Sequence, residues 1–199
     1  MSTCPNAVEG FGVCTLVVDR LWNGVSARTS ERCEVSFREE GAGLVVTVDA
    51  PFHGDPAPGD PASTPAPPGR FDGLWEYEVV ELFLVAADGA YLELEFGPHG
   101  HWLALLFSAP RVSERRDLGL EAIDVATEAA ADAVGKSRWR GRYRIRKGKK
   151  PKRIVAANAF SIHGSREGRR YLAAHPLPGD CPDFHQPEQF PRLGTRIKN

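Results

Sequence analysis

Apolar and polar positions alternate with a period of two through most of this chain, and the densest such stretch runs from Phe71 to Phe107. Two turn signals divide it into three strand-length pieces. Residues 78–86 form an apolar run carrying Glu78 and Glu81, and Asp88-Gly89 behind them is a hairpin signal. Residues 90–96 then place Leu92, Leu94 and Phe96 on one face and Tyr91, Glu93 and Glu95 on the other. Gly97-Pro98 and Gly100 turn the chain into a third strand, His101 to Phe107. The pattern predicts a β-meander at the centre of a sheet.

The flanks read in the same way. Val13–Val18 is a short apolar strand with a turn at Leu21-Trp22-Asn23-Gly24 behind it, Cys33–Phe37 alternates, and Leu44–Ala50 is rich in β-branched residues. Residues 51–70 hold seven of the sixteen prolines, so no sheet strand is expected there and a long surface loop of polyproline II character is. Glu121–Thr127 alternates weakly, and the alanine-rich run Glu128–Val134 predicts a helical turn. Arg138–Arg146 alternates strictly, with arginines on one face and Trp139, Gly141, Tyr143 and Ile145 on the other. Ile154–Ile162 is the last clear strand, Tyr171–Ala174 pairs briefly, and a proline-broken tail wraps back over the body. Nine or ten short strands with hardly any helical period predict an all-β, antiparallel β-sandwich, a single domain over 12–195 behind a flexible tail at 1–11.

Composition narrows the picture. The chain has 199 residues, 42% hydrophobic and 26% charged, as expected of a soluble globular protein that buries roughly 70% of its unfolded surface. No apolar run is long enough to span a membrane, and the N-terminus carries no secretory signal, so a cytoplasmic protein is expected. Cys4, Cys14, Cys33 and Cys181 are spaced too widely for zinc or redox motifs and read as reduced thiols. The net charge of −1 hides an asymmetry: Lys136–Arg153 holds eleven of the 25 basic residues and no acid. Trp139 and Tyr143 fall on the face opposite the arginines, so they cannot stack bases beside them. Nucleic-acid binding is therefore not expected, internal pairing is, and the 147–153 loop stays a candidate polyanion or protein contact.

The candidate chemistry is carboxylate and imidazole. A three-residue loop at Ala87-Asp88-Gly89 sets Glu81 opposite Glu95 and gathers Glu81, Glu93 and Glu95 on one face. A two-residue loop sets Glu81 opposite Phe96, among apolar neighbours. In the first register the like charges need a cation or arginines between them, calcium and the Arg138–Arg146 face being the candidates. His99, His163 and His185 sit in turn-rich motifs; with Glu81 and Asp183 they are the candidate metal ligands, although none has fixed metal-ligand spacing. Haem of the His/Met type is excluded because Met1 is the only methionine. No complete catalytic motif is present, so no enzymatic activity is read from the sequence.

Several segments carry a resemblance. They are Trp22-Asn23-Gly24, Ala50-Pro51-Phe52, Leu74-Trp75-Glu76-Tyr77-Glu78-Val79-Val80-Glu81, Tyr91-Leu92-Glu93, Pro98-His99-Gly100, Trp139 with Gly141, Asn158 with Phe160, Ile162-His163-Gly164-Ser165, and Pro182-Asp183-Phe184-His185. In this order they resemble an uncharacterised family, the chromosome 4 open reading frame 33 homologues. More distantly, the Val-Val-Glu-x-Phe-Leu strand, the late Trp, the strand-borne Asn and the closing Phe-His are similar to family 9 carbohydrate-binding modules. That resemblance implies a β-sandwich holding a sugar between aromatic and polar side chains, several such modules carrying structural calcium. On it, Trp75, Glu78, His99, His163 and His185 are the expected lining of a site for a carbohydrate or polar metabolite. A metal-assisted enzyme using the same histidines is the alternative. Trp75, between the proline loop and the central strand, is expected at the sheet's rim, either as a platform for a sugar ring or as a plug closing the end of the sandwich.

Overall fold

The computed structural model describes residues 12–41, 43–59, 65–115, 120–131, 137–145 and 153–194. The expected tail at 1–11, the centre of the proline-rich loop at 60–64 and the basic loop at 146–152 lie outside them. The strands are β1 (Cys14–Val18), β2 (Arg20–Leu21), β3 (Cys33–Glu40), β4 (Gly43–Pro51), β5 (Gly69–Arg70), β6 (Val79–Ala86), β7 (Tyr91–Phe96), β8 (His101–Ala109), β9 (Val112–Arg115), β10 (Leu120–Ala131), β11 (Ser137–Ile145), β12 (Ile154–His163) and β13 (Arg170–Ala173). They form two sheets. One has five strands in the order β1-β3-β4-β11-β10, and the other eight, β2-β13-β12-β6-β7-β8-β5 with β9 paired to β8. Every pairing is antiparallel except β5 with β8 among the described residues.

The expected sandwich is the observed one, and the alternation explains how it packs. Val35, Phe37, Val46, Trp139 and Tyr143 of the smaller sheet meet Leu82, Leu84, Leu92, Leu94 and Phe96 of the larger in one buried cluster. The larger sheet is unusual in being buried on both faces, every residue of β6 and β7 being buried. Its outer face carries a second cluster, Val79, Phe83, Tyr91, Leu103, Leu105 and Phe160, roofed by Leu74 and by Leu177, Phe184 and Phe190 of the C-terminal segment. That segment wraps back as expected. The Phe184 ring stacks on Phe160 at 3.9 Å, and Leu193 N–H donates to the Val155 carbonyl at 2.9 Å. Asn158, fully buried on β12, clasps the segment's start: its side-chain amide donates to the His175 carbonyl at 2.8 Å and its oxygen accepts the His175 N–H at 2.9 Å.

Two expectations need correction. Glu128–Ala131 continues β10 instead of turning helically, because pairing with β11 (Thr127 opposite Trp139, Glu128 opposite Arg138) overrides the helix preference of alanine. The proline-rich stretch also contributes sheet at both ends: Pro51 closes β4, and Gly69–Arg70 adds a short parallel edge to β8. Proline is tolerated there because both ends are strand termini or edges.

Gly141 occupies a close approach on β11. A Cβ at this position would stand 2.5 Å from Cε2 of the buried Tyr143, whose ring lies back along the strand and packs 4.2 Å from Phe96. Gly141→Ala is therefore expected to destabilise the fold by about 1–3 kcal/mol through overpacking, measured by denaturant unfolding. An unchanged midpoint would show that the ring is free to move aside.

Candidate functional site

The hairpin register decides the chemistry of the outer face. The Ala86 N–H donates to the Ala90 carbonyl at 2.7 Å, closing a three-residue loop, and Glu81 stands directly opposite Glu95. Glu81, Glu93 and Glu95 thus share the outer face and are 2%, 5% and 0% exposed. The arginine face of β11, Arg138–Arg144 among the described residues, does not neutralise them. It lies on the outside of the other sheet, where Arg138 and Arg140 pair with Asp49 at 2.6 and 2.8 Å and Arg144 with Glu40 at 3.0 Å. The expected internal pairing of the basic strand holds at these arginines.

Above the glutamates lies a cavity of about 430 Å³, inside the range usual for small-molecule sites. Glu81 and Glu93 form part of its floor; Phe83, Phe107, Trp75, Tyr171 and Phe184 supply aromatic wall. Trp75 belongs to a 3-10 turn, Leu74–Glu76, which Gly73 starts at φ 86° and the fully buried Leu74 anchors. Arg169 ties that turn down, donating to the Glu76 carbonyl at 2.9 Å and to the Trp75 carbonyl, with its guanidinium 5.7 Å from the Tyr171 ring centre. Trp75 itself remains 37% exposed, at the rim.

The C-terminal segment supplies the other polar groups. Arg111 donates to Asp183 at 2.8 Å, and Asp183 accepts the His185 backbone N–H at 3.0 Å. Tyr91 Oη accepts the Arg111 N–H at 3.2 Å and lies 2.7 Å from His185 Nδ1. One proton is shared between that hydroxyl and Nδ1, and the other ring nitrogen, Nε2, lies 3.8 Å from Glu93 Oε2. Burial, aided by the Arg111 charge, pushes the imidazole down to about 4.

Burial also governs the glutamates. It drives Glu93 up to about 7 against the pull of the close Glu95 carboxyl and the Arg111 charge. Glu81 is raised well above the carboxylate range by burial and then by the Glu93 charge, and Glu95 by burial and by both neighbours. The face holds protons that an unfolded chain would release.

The remaining expected residues gather elsewhere. His163, at the end of β12, stacks on His53 at 3.5 Å with the rings 4° from parallel, and its Nε2 lies 3.4 Å from Glu31 Oε1. Burial works against the Glu31 charge, but hydrogen bonds from Arg170 and the Arg28 N–H outweigh it and hold Glu31 low. Glu78 accepts the backbone N–H groups of His53 at 2.9 Å and Asp55 at 3.2 Å, and burial still pushes it up to about 7. His99 Nε2 lies 3.3 Å from the Asp55 carbonyl. Glu78, His99 and His163 thus pin residues 53–55 against the sheet ends, whereas Trp75, Glu81, Asp183 and His185 meet at the cavity. Among the described residues no three His, Cys, Asp or Glu side chains come together as a metal-binding group. Arg111 and Arg169 were missed by sequence reasoning, since lone arginines in loops carry no pattern; the hairpin register was the signal for the glutamate floor.

These shifts fix a pH dependence. Glu78 and Glu93 are raised to about 7 in the folded state and Glu81 and Glu95 well above the ordinary carboxylate value, so their contribution is full below that value and is lost as pH rises through the raised ones. His163 and His185, both lowered, act in the opposite sense, but only below the ordinary histidine value of about 6.5. Stability is therefore expected to fall as pH rises from about 4.5, most steeply just above about 6.5 where the histidines no longer offset it, by up to ~1.4 kcal/mol per pH unit for each proton released. Thermal melting across this range checks it, and the paired change Glu93→Gln with Glu95→Gln is expected to flatten the slope. A wild-type profile that is flat or rising contradicts the protonated floor.

No protein-family model matches the chain. The human UPF0462 protein C4orf33 is 32% identical over 180 residues, spanning 87% of this chain and 84% of its own length. The rat homologue is 37% identical over 155 residues, covering 74% and 72%, and the zebrafish homologue 34% over 164 residues, covering 79% and 77%. Among solved structures, a "putative carbohydrate-binding protein" from Bacteroides uniformis superposes with a TM-score of 0.60 over 89% of this chain and 84% of that one. At 18% identity that likeness concerns the fold alone. With relatives above 30% identity across most of both chains, this protein belongs to the UPF0462 family of C4orf33 homologues.

Proposed function

We propose that this chain binds a carbohydrate or a related polar metabolite in the cavity on the outer face of the eight-stranded sheet. The observation that carries this reading is the composition of that cavity. Aromatic side chains stand beside buried carboxyls and an imidazole held by the Tyr91 hydroxyl, the mixture that lets a ring stack while its hydroxyls are hydrogen-bonded. A volume of about 430 Å³ suits a ligand of one or two sugar rings. The fold neighbour's printed name is consistent with this use of the sandwich. Trp75 and His185 are the contact residues from the expected set, joined by Glu81, Glu93 and Asp183; Glu78, His99 and His163 act by holding residues 53–55 in place.

Trp75 separates the two roles left open by the sequence. With more than a third of its surface exposed it has the form of a platform, and Trp75→Ala is expected to cost about 1 kcal/mol of stability or less. The same change is expected to abolish any change in tryptophan fluorescence on adding mono- and oligosaccharides. A loss of about 3–5 kcal/mol, with no sugar perturbing the wild type, would make Trp75 an end plug and remove the carbohydrate reading for this face.

A further inference from the structure

Most of the polar groups around the cavity are already matched within the protein. Arg111 is spent on Asp183, and Arg169 on the Trp75, Glu76 and Gly164 carbonyls. His185 Nδ1 is taken by Tyr91. What remains unmatched is acid. Glu93 Oε2 and both Glu95 oxygens meet no hydrogen-bond partner of good geometry, although both residues are at least nine-tenths buried. Glu93 and Glu81 open directly onto the cavity, with Glu95 beside them on the same face. A buried carboxyl oxygen without a donor is costly, so this floor is built for donors that arrive from outside.

The donor that fits best is an ammonium. It brings up to three N–H groups and the opposite charge, and hydrogen bonds between ionised partners are roughly twice as strong as neutral ones. The aromatic walls add attraction for a cation over their faces. An anionic ligand fits less well, because both guanidinium groups are committed and the floor would meet it with carboxyls. We propose that the cavity's ligand is an amino sugar, its ammonium seated on Glu81 and Glu93, with Glu95 beside them on the same face, and its ring against Trp75. This rests on the carbohydrate reading above and narrows it.

The charged surroundings set how binding couples to protons. Glu81 lines the cavity from β6 and Glu93 from β7, with Glu95 and the Tyr91 hydroxyl next to Glu93 on that face. Arg111 comes from the turn before β9 and Arg169 from the segment before β13. Asp183 and His185 come from the C-terminal segment. Glu76, on the 3-10 turn, is solvent-exposed. Asp183 is neutralised by Arg111, which leaves the buried glutamates as the groups that answer a cation by releasing protons.

The test is a calorimetric titration of the full chain with glucosamine, glucose and N-acetylglucosamine at about pH 6.5, below the ordinary range of an amine, in two buffers of different ionisation enthalpy. Glucosamine is expected to bind at least about tenfold more tightly than glucose, with about one proton released, and N-acetylglucosamine to behave like glucose. Glu93→Gln, isosteric with the protonated side chain, is expected to bring glucosamine and glucose to parity; Glu81→Gln serves the same purpose should the first variant melt early. Equal binding of glucosamine and glucose without proton release overturns the amino-sugar inference and leaves carbohydrate binding standing. No binding of any of the three overturns both.

Discussion

The placement of three carboxyls on a buried sheet face is the constraint on which this structure turns. A strand that is covered on both sides has nowhere to send a polar side chain, so each residue of β6 and β7 either packs or carries a cost. Glu81, Glu93 and Glu95 carry that cost together, and it is lowered by keeping them protonated and by opening part of the floor to a cavity. A one-residue change in hairpin register would separate them, setting Glu81 opposite Phe96 and away from Glu93 and Glu95. The three-residue loop is therefore as much a part of the site as the glutamates.

The cover over this face follows from the same requirement. Leu74, Phe184 and Phe190 complete the second apolar cluster, and in doing so the segments that carry them deliver Trp75, Asp183 and His185 to the cavity. Arg169 and Asn158 hold those segments by their backbone carbonyl and N–H groups, a form of attachment that leaves side chains free to face a ligand. Structural cover and binding surface are one arrangement. In this respect Tyr91 links both, since its ring packs in the cluster while its hydroxyl hydrogen-bonds the His185 imidazole.

Strand order and the in-or-out sense of side chains were legible in the sequence because period-two alternation reports burial directly. The hairpin at Asp88-Gly89 was legible as two alternatives, and the three-residue form was needed to gather the glutamates. The helical turn expected near Glu128 failed because local propensity says nothing of a waiting partner strand. The histidines of two similar motifs, Pro98-His99-Gly100 and Ile162-His163-Gly164, looked like one cluster with His185, yet they lie apart from it. Turn motifs place a residue at a strand end without saying which sheet face the next segment will cover. Asn158 and Trp139 show the same limit: both belong to the carbohydrate-module resemblance, and here one is a backbone clasp and the other core. Arg111 and Arg169 had no sequence signature, since each acts through contacts made across distant segments.

The account's central claim is that the ligand site is the cavity on the outer face and not the histidine-rich end near residues 53–55. Side-chain NMR of the wild-type protein during titration with a binding saccharide tests this most directly, through the indole N–H of Trp75 and the ring signals of His185, His53 and His163. The account predicts shifts at Trp75 and His185 while the His53 and His163 signals stay in place. Shifts confined to His53 and His163, with Trp75 and His185 unmoved, would contradict it.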